Sequence, residues 1–216
     1  MIVEKITNAF DTDVPFTYIA DGHHRAASAA KVAGANTSNE LAQYFLTTIF
    51  PASQLTILDY NRVIKDLNGH TVDSLLSALA TSFIISKSPQ SVKPTKLHQF
   101  GMYLAGKWYS LEAKEGTYTQ DPIGVLDISI FTELILNKLF GITDQRTDKR
   151  IDFVGGIRGL QELEKRVDNG EMKVAFSFYP VSIEQLFAIA DSGQVMPPKS
   201  TWFEPKLRDG FLSNVL

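Results

Sequence analysis

The chain has 216 residues, of which 44% are hydrophobic and 21% charged, so it can build a substantial core, and this composition argues against global disorder. Its net charge of −3 gives no electrostatic footprint for bulk binding to nucleic acid or to a membrane. The absence of cysteine excludes disulfides and thiolate zinc sites, and it favours a cytoplasmic location. Because there is no apolar signal-like start and no apolar run of about 18 residues, neither a signal peptide nor a membrane span is predicted.

The first part of the chain is predicted to alternate short strands and helices, from its periodicity and turn residues. The predicted elements are a strand over Phe16–Ala20, a helix over Arg25–Val32, and strands over Glu40–Phe50 and Leu55–Asp59. A helix over Thr71–Ala80 follows, and Thr71 or Asp73 can cap it. The polar segment Ser86–Thr95 carries two prolines and is predicted to be a linker or an exposed loop.

The second part begins with a predicted hairpin over Leu97–Ala113 that turns at Ala105–Lys107. The elements after it are a helix over Asp127–Leu139 capped by Asp127, a strand over Ile151–Val154, a helix over Leu160–Val167, a strand over Lys173–Tyr179 and a helix over Ser182–Ala190. The tail Met196–Gly210 is too rich in proline for either element. This mixed order of strands and helices predicts an α+β fold.

The stretch DGHHR, from Asp21 to Arg25, places polar side chains between the first predicted strand and helix. The first N–H groups of a helix lack partners and carry partial positive charge, so phosphate fits there. Arg25 would add a bidentate phosphate donor, and His23 and His24 further donors. Asp21 would hold Mg²⁺ or cap the helix. The alternative is a capped helix whose polar side chains are partly buried.

The segment FVGGIRG forms a second junction between a predicted strand and a predicted helix. The favoured interpretation is a turn that needs a positive φ at Gly155 or Gly156. The alternative is a second phosphate site, in which the glycines admit the phosphate and Arg158 binds it. The spacing matches neither a Walker loop nor a dinucleotide fingerprint, which favours the turn.

Two further polar segments are candidates for walls of the same site. LDYNRV puts Arg62 just past a predicted strand end, either as a wall of the site or in an ordinary exposed turn. The tail carries Lys199, Trp202 and Lys206 in an irregular loop of the kind that often carries function. The alternative for the tail is a structural segment that Trp202 and Phe203 anchor to the core.

Several separate blocks of this sequence, in the same order, resemble domain-of-unknown-function family 1015, namely YIADGHHR, LDYNRVIKDL, FVGGIRGLQELE, AFSFYPVSIEQLFAIADSG and MPPKSTWFEPKLR. They cover nearly the whole chain from Phe16 to Arg208. DGHHR also resembles the G-x-x-R turn that holds nucleotide phosphate in ParB-type domains, sulfiredoxin and the free serine kinases. The resemblance implies a ParB/sulfiredoxin-like nucleotide-binding core over residues 1–67 and a second α+β unit with a C-terminal tail over residues 68–216.

The resemblance also implies roles for the residues of the box. Gly22 matches the turn glycine and Arg25 the phosphate-binding arginine. We expect Asp21 and His24 to be catalytic, Asp21 to bind the metal, and His23 and Arg62 to contact the cofactor. Lys199, Trp202 and Lys206 are expected to bind substrate. The implied cofactors are ADP or ATP, with CTP as a third candidate, and Mg²⁺. The implied substrate is a hydroxy amino acid such as serine, and a homodimer is an expected assembly.

One departure from the kinase pattern favours binding without turnover. The resembling serine kinases use a glutamate from a segment before the box, whereas Glu4 is the only glutamate upstream here and its context, VEKI, does not match. The chain therefore resembles the C-terminal part of a longer family member, or a short variant. A small-molecule kinase, a non-catalytic nucleotide-sensing module and a structural half-domain that completes the site of a missing N-terminal segment all stay open. Sulfiredoxin chemistry is excluded because its cysteine has no counterpart, and ParB-like DNA clamping is disfavoured by the acidic charge.

Overall fold

A computed structural model describes residues 1–208 of the chain, with His24 described by its backbone alone. The described residues form two compact units, one from Met1–Leu55 with residues 205–208, and one from Thr56–Glu204. Helices and antiparallel sheets confirm the predicted α+β class. The domain boundary after Leu67 stays a prediction. The compact units separate earlier along the chain because Tyr60–Ile64 pairs with strands of the second unit.

The described part of the first unit is helical. Helix α1 spans Ile2–Asp13, and α2 spans His23–Ala35, which confirms the alanine-rich helix. The strands predicted over Phe16–Ala20 and Glu40–Phe50 are wrong, since neither range contains a strand. An extended segment becomes a strand only where another segment satisfies its N–H and C=O groups, and neither range pairs with another segment of residues 1–208.

The second unit contains the described strands of the chain and its later helices. The strands are β1 Thr56–Leu58, β2 Tyr60–Ile64, β3 Phe83–Ser88, β4 Gln99–Leu104, β5 Lys107–Ala113, β6 Ile151–Gly155, β7 Val174–Phe178 and β8 Trp202–Glu204. The helices are α3 Val72–Leu79, α4 Asp127–Phe131 continued as a π-helix over Thr132–Phe140, α5 Leu160–Asp168 and α6 Ile183–Asp191.

Six of the described strands form one antiparallel sheet in the order β3-β5-β4-β7-β2-β6. Helices cover this sheet on both faces, because apolar side chains alternate between two buried clusters along its strands. In β7, Phe176 joins one cluster and Ala175 the other. Phe131 of α4 packs 4.8 Å from the Phe176 ring, and Leu163 of α5 belongs to the opposite cluster.

The local signals that depend on short-range hydrogen bonds are confirmed. Thr71 is the N-cap of α3 and accepts from Ser74 N–H at 3.1 Å. Ser182 and Gln185 form the capping box of α6. The predicted hairpin turns between β4 and β5 with positive φ at Ala105 and Gly106. These motifs satisfy backbone groups within a few residues, so the sequence alone specifies them.

Two predictions fail because distant partners decide the local structure. Asp127 does not cap α4: Leu126 is the N-cap, and the Asp127 carboxylate bonds the N–H of His98 instead. The tail does contain a strand, β8, which pairs antiparallel with β1 so that Phe203 lies opposite Ile57. The proline-rich flanks of Trp202–Glu204 hide this strand from a local analysis.

Candidate functional site

The segment Asp21–Arg25 forms the start of α2. Gly22 is the N-cap and has the left-handed conformation, with φ +87°. The N–H of Ala26 donates to Gly22 O at 3.0 Å and begins the helical hydrogen bonding. A Cβ at position 22 would lie 2.9 Å from Nη2 of Arg25, because the guanidinium rests on the glycine. Glycine is therefore needed here both for its φ and for the placement of Arg25.

The N-terminus of α2 offers hydrogen-bond donors that other side chains do not use. No side chain of the described residues caps this helix. Arg25 is exposed, and its guanidinium makes no hydrogen bond or ion pair with another described residue. His23 is exposed beside it, whereas the side chain of His24 lies outside the described residues. Uncapped N–H groups next to a free guanidinium are the donor set that an anion binds.

Asp21 contacts both the Gly22 turn and Lys206, which lies near the end of the described residues. Its Oδ1 accepts from the N–H of Gly22 at 2.7 Å, and its Oδ2 lies 3.4 Å from Nζ of Lys206. The capping alternative does not hold, because the N–H that Asp21 accepts belongs to the N-cap residue itself. A residue predicted to be catalytic and one predicted to bind substrate thus lie side by side in the first unit.

The described residues provide a carboxylate for a metal ion but no complete metal cage. Across residues 1–208, no group of three or more His, Asp or Glu side chains is arranged to hold a metal. Mg²⁺ in nucleotide sites is commonly bound by one or two carboxylates together with the phosphates. Asp21 fits as one such ligand, since its side chain is 61% exposed beside the start of α2, although its Oδ2 lies 3.4 Å from Nζ of Lys206.

The other predicted site residues lie in the second unit, where Arg62 is buried rather than on a polar wall. Its guanidinium donates from Nη1 to Tyr60 O and from Nη2 to Lys199 O, the latter at 2.7 Å. Its Cζ lies 4.6 Å from the ring centroid of Phe178. Burial lowers the pKa of Arg62 to about 9, and Tyr60 opposes this shift. Only 1% of the surface of Arg62 is exposed, and its guanidinium holds the backbone carbonyls of Tyr60 and Lys199 in place. Its contact with a cofactor stays a prediction.

Trp202 packs against two strand ends of the second unit. Its ring meets that of Tyr60 edge-on at 5.3 Å, and its Nε1 donates to Glu204 at 2.7 Å. A Cβ at Gly155 would lie 2.8 Å from the indole. Gly155 has φ −63°, and the positive φ of this junction occurs at Gly159 instead. The expected turn exists, but Gly155 is needed for space rather than for its φ.

Sequence reasoning missed a buried polar network at the start of β4. Asp127 Oδ1 accepts from His98 N–H at 2.7 Å, and the His98 ring lies 3.0 Å from Val125 O and 2.8 Å from the Tyr118 hydroxyl. Asp127 Oδ2 is buried and has no hydrogen-bond partner among the described residues. Burial raises the pKa of Asp127 to about 7, although the His98 N–H bond opposes this shift. No local motif marks these residues, which are up to 29 positions apart.

With this geometry in place, solved structures of similar shape show which fold the chain has. The chain has the fold of free serine kinase: a structure of a glutamate-to-glutamine mutant in complex with AMP matches at TM-score 0.51 and 12% identity. The match covers 94% of this chain and 78% of that chain. A structure of free serine kinase in complex with AMP matches with the same values. A conserved hypothetical protein from Pyrococcus furiosus is 15% identical, with a TM-score of 0.48 over 94% of this chain and 82% of its own.

The chain belongs to the DUF1015 family, described as proteins of unknown function, whose model matches residues 1–129. This confirms the family that the sequence blocks indicated. The matched range includes the Asp21–Arg25 turn, Arg62 and Asp127. No curated protein matches the sequence. In residues 1–208, no helix has both the length and the apolar character to cross a membrane.

Proposed function

We propose that the chain binds the phosphates of an adenine nucleotide, ADP or ATP, at the Gly22–Arg25 turn and is related to small-molecule kinases. The observation that carries this proposal is the free guanidinium of Arg25, which rests on Gly22 beside the uncapped start of α2. Helix N–H groups and an arginine fork together recognise phosphate. The fold shared with free serine kinase in complex with AMP supports the adenine nucleotide as the ligand, with CTP as the competing candidate.

Each residue of the turn has a proposed role. Arg25, His23 and His24 neutralise phosphate charge, and Asp21 binds the Mg²⁺ that accompanies the nucleotide. In the kinase form, the terminal phosphoryl group passes to the hydroxyl oxygen of a hydroxy amino acid. In that form Asp21 takes the hydroxyl proton instead of binding Mg²⁺, and AMP or ADP leaves. Lys206, 3.4 Å from Asp21, would bind the anionic end of that substrate.

The finer predictions from the sequence belong to the same proposal. The roles expected of Lys199 and Trp202 in binding substrate and of Arg62 in binding cofactor stay predictions from the sequence. The ParB/sulfiredoxin-like assignment of residues 1–67 fits the proposed phosphate turn, which lies inside that range. A cytoplasmic location, inferred from the absence of cysteine, and a homodimer are also part of the proposal.

A nucleotide-sensing module without turnover is the second candidate, and the geometry of Asp21 favours it. One carboxylate oxygen is bonded to Gly22 N–H, and the other faces the ammonium group of Lys206. A general base must reach the proton of the attacking hydroxyl. In this arrangement both carboxylate oxygens of Asp21 already have partners, so neither is available to accept a proton from a substrate hydroxyl. The phosphate donors of the turn do not depend on Asp21, which favours binding without turnover.

The test is a calorimetric and thermal-shift titration with ADP, ATP and CTP, with and without Mg²⁺. A ligand that binds only the folded state raises stability in proportion to ln(1 + [L]/Kd), so weak binding is visible. Arg25→Ala should abolish the shift. Lys31→Ala is the matched control, because Lys31 is an exposed cation on the same helix. If Arg25→Ala binds nucleotide as tightly as Lys31→Ala does, the phosphate site is refuted.

Phosphorus NMR then separates the two candidates. The protein is incubated with nucleotide, Mg²⁺ and serine or threonine. A phosphomonoester product that is lost in Arg25→Ala identifies the kinase. If the protein binds nucleotide but phosphorylates none of the hydroxy amino acids tested, it is the sensing module.

A further inference from the structure

Two cations of the second unit share one pair of aromatic rings, Tyr60 and Phe153. The guanidinium carbon of Arg62 lies 5.8 Å from the Tyr60 centroid and 5.5 Å from that of Phe153. Nζ of Lys199 lies 6.0 Å and 5.7 Å from the same two centroids. Cation–π attraction stabilises each cation over the rings, but it does not cancel the repulsion between them.

No described carboxylate neutralises this pair. Neither Arg62 nor Lys199 has a carboxylate oxygen of residues 1–208 within 4.0 Å. Arg62 Nε is buried and has no hydrogen-bond partner among the described residues. Buried arginines are almost always paired with an acid, because an uncompensated charge is costly away from water. The arrangement therefore has excess positive charge at a place where an anion would stabilise it.

Arg62 also fixes the conformation of the segment that carries Lys199. Its Nη2 donates to Lys199 O at 2.7 Å, and Lys199 has a positive φ of 60°. Ser200 Oγ donates to Pro197 O at 2.6 Å and holds the same bend. Lysine rarely adopts this φ without support from its surroundings. Lys199 is an exposed residue, and this backbone conformation holds its Nζ over the aromatic pair.

We propose that Lys199 is the contact residue of an oxyanion site in the second unit, and that Arg62 is the positioning residue that holds it there. The ligand class is a small carboxylate or phosphate, which supplies the negative charge that the two cations lack. This site uses residues of the second unit alone, so it does not depend on nucleotide binding at the Gly22–Arg25 turn.

The experiment follows tryptophan fluorescence of the full chain during titration with potassium phosphate and, separately, potassium acetate. Potassium chloride keeps the ionic strength constant. Trp202 is the local reporter because its ring contacts Tyr60, and loss of the signal in Trp202→Phe assigns the response to it. Lys199→Met is compared with Lys87→Met, which removes another exposed lysine of the second unit.

We expect saturable binding whose Kd rises about tenfold or more in Lys199→Met, as for loss of a charge-assisted hydrogen bond. Lys87→Met should bind as the parent does, and Lys199→Arg should retain binding. A response to phosphate alone would identify a phosphate site, and a response to both ions a general oxyanion site. No fluorescence response to either ion, or an equal Kd in Lys199→Met, would overturn the proposal.

The positioning role of Arg62 has its own variant. Arg62→Lys keeps the charge but has no planar fork to bond Tyr60 O and Lys199 O together. It should weaken phosphate binding several-fold although Lys199 is intact, and a parent-like Kd would contradict the positioning role. If this variant does not fold, Arg62→Met removes both the fork and the charge, and a parent-like Kd in that variant would likewise contradict the positioning role. Because Arg25→Ala leaves this site unchanged, its failure and failure of the nucleotide site are distinguishable.

Discussion

The carboxylate of Asp127 accepts a 2.7 Å hydrogen bond from the backbone N–H of His98, which lies at φ +65° immediately before β4. This bond joins the start of α4 to the sheet and supports a backbone conformation that is uncommon for a residue other than glycine. The second carboxylate oxygen is buried without a partner among the described residues. Asp127 is therefore held where its negative charge is poorly solvated.

The first prediction is that this carboxyl group makes stability fall as the pH rises. Burial raises its pKa from 3.8 to about 7, so the folded protein holds a proton that the unfolded chain has lost. The contribution of protonated Asp127 is fully present below about pH 4, decreases by at most about 1.4 kcal/mol per pH unit, and is lost above about pH 7.

Asp127→Asn tests this pH dependence, because the amide oxygen can still accept from His98 N–H while the titration disappears. The free energy of unfolding of both proteins is measured by urea denaturation from pH 4 to pH 8. The parent should lose stability relative to the variant across that range, with a level difference above about pH 7. Asp11→Asn removes an exposed carboxylate as a control. A constant difference between parent and Asp127→Asn would refute a raised pKa.

The second prediction concerns two glycines of α2 that respond oppositely to alanine. Gly22 has φ +87° and contacts the Arg25 guanidinium, so Gly22→Ala should cost about 1–2 kcal/mol and weaken nucleotide binding. Gly34 lies within the helix with nothing within 4 Å of a Cβ, so Gly34→Ala should stabilise by up to about 1 kcal/mol. Circular dichroism melts and nucleotide titrations measure both effects. Equal destabilisation by the two substitutions would contradict the turn geometry.

The sequence predicted those elements whose hydrogen bonds are local. Thr71 and Ser182 cap helices through residues three positions away, and the Ala105–Gly106 turn joins adjacent strands. In contrast, β8 exists because it pairs with β1, and Asp127 is drawn away from its expected cap by His98. Those two partners lie far along the chain, so periodicity and capping patterns carry no information about them.

The candidate site residues likewise include some that the local sequence could identify and some whose surroundings depend on distant strands. The Gly22–Arg25 turn was recognisable because glycine, histidine and arginine at a helix start have a definite meaning for phosphate binding. Arg62 looked like a surface residue in the polar stretch DYNR, yet it is buried beneath Lys199. Its aromatic surroundings come from Phe153 and Phe178, which reach it only through the pairing of β2 with β6 and β7.

The third prediction separates a structural from a functional role for Lys206. Its ion pair with Asp21 joins side chains that are 46% and 61% exposed, so Lys206→Met should change the free energy of unfolding by less than about 1 kcal/mol. The free energy of substrate binding should weaken by more than this, since the site loses the cation proposed to bind the anionic end of the substrate. Titration calorimetry of Lys206→Met and of the control Lys31→Met checks the difference. Unchanged affinity in Lys206→Met would remove Lys206 from the site.

The fourth prediction is that Gly155 and Trp202 are energetically coupled. A Cβ at Gly155 would lie 2.8–3.0 Å from three indole carbons, so Gly155→Ala must displace the ring from its edge-on contact with Tyr60. Such overpacking of a well-packed site costs about 1–3 kcal/mol. Urea denaturation should show this loss, and the tryptophan emission of the folded variant should shift to longer wavelength as Trp202 becomes more exposed.

A double-mutant cycle distinguishes this steric cause from a backbone effect. Gly155 has φ −63°, a conformation that alanine adopts without strain, so the indole is the expected obstacle. In a Trp202→Ala background, Gly155→Ala should cost little, and the coupling free energy should be about 1 kcal/mol or more. An equal cost of Gly155→Ala in both backgrounds would show that Trp202 does not set the space at this strand end.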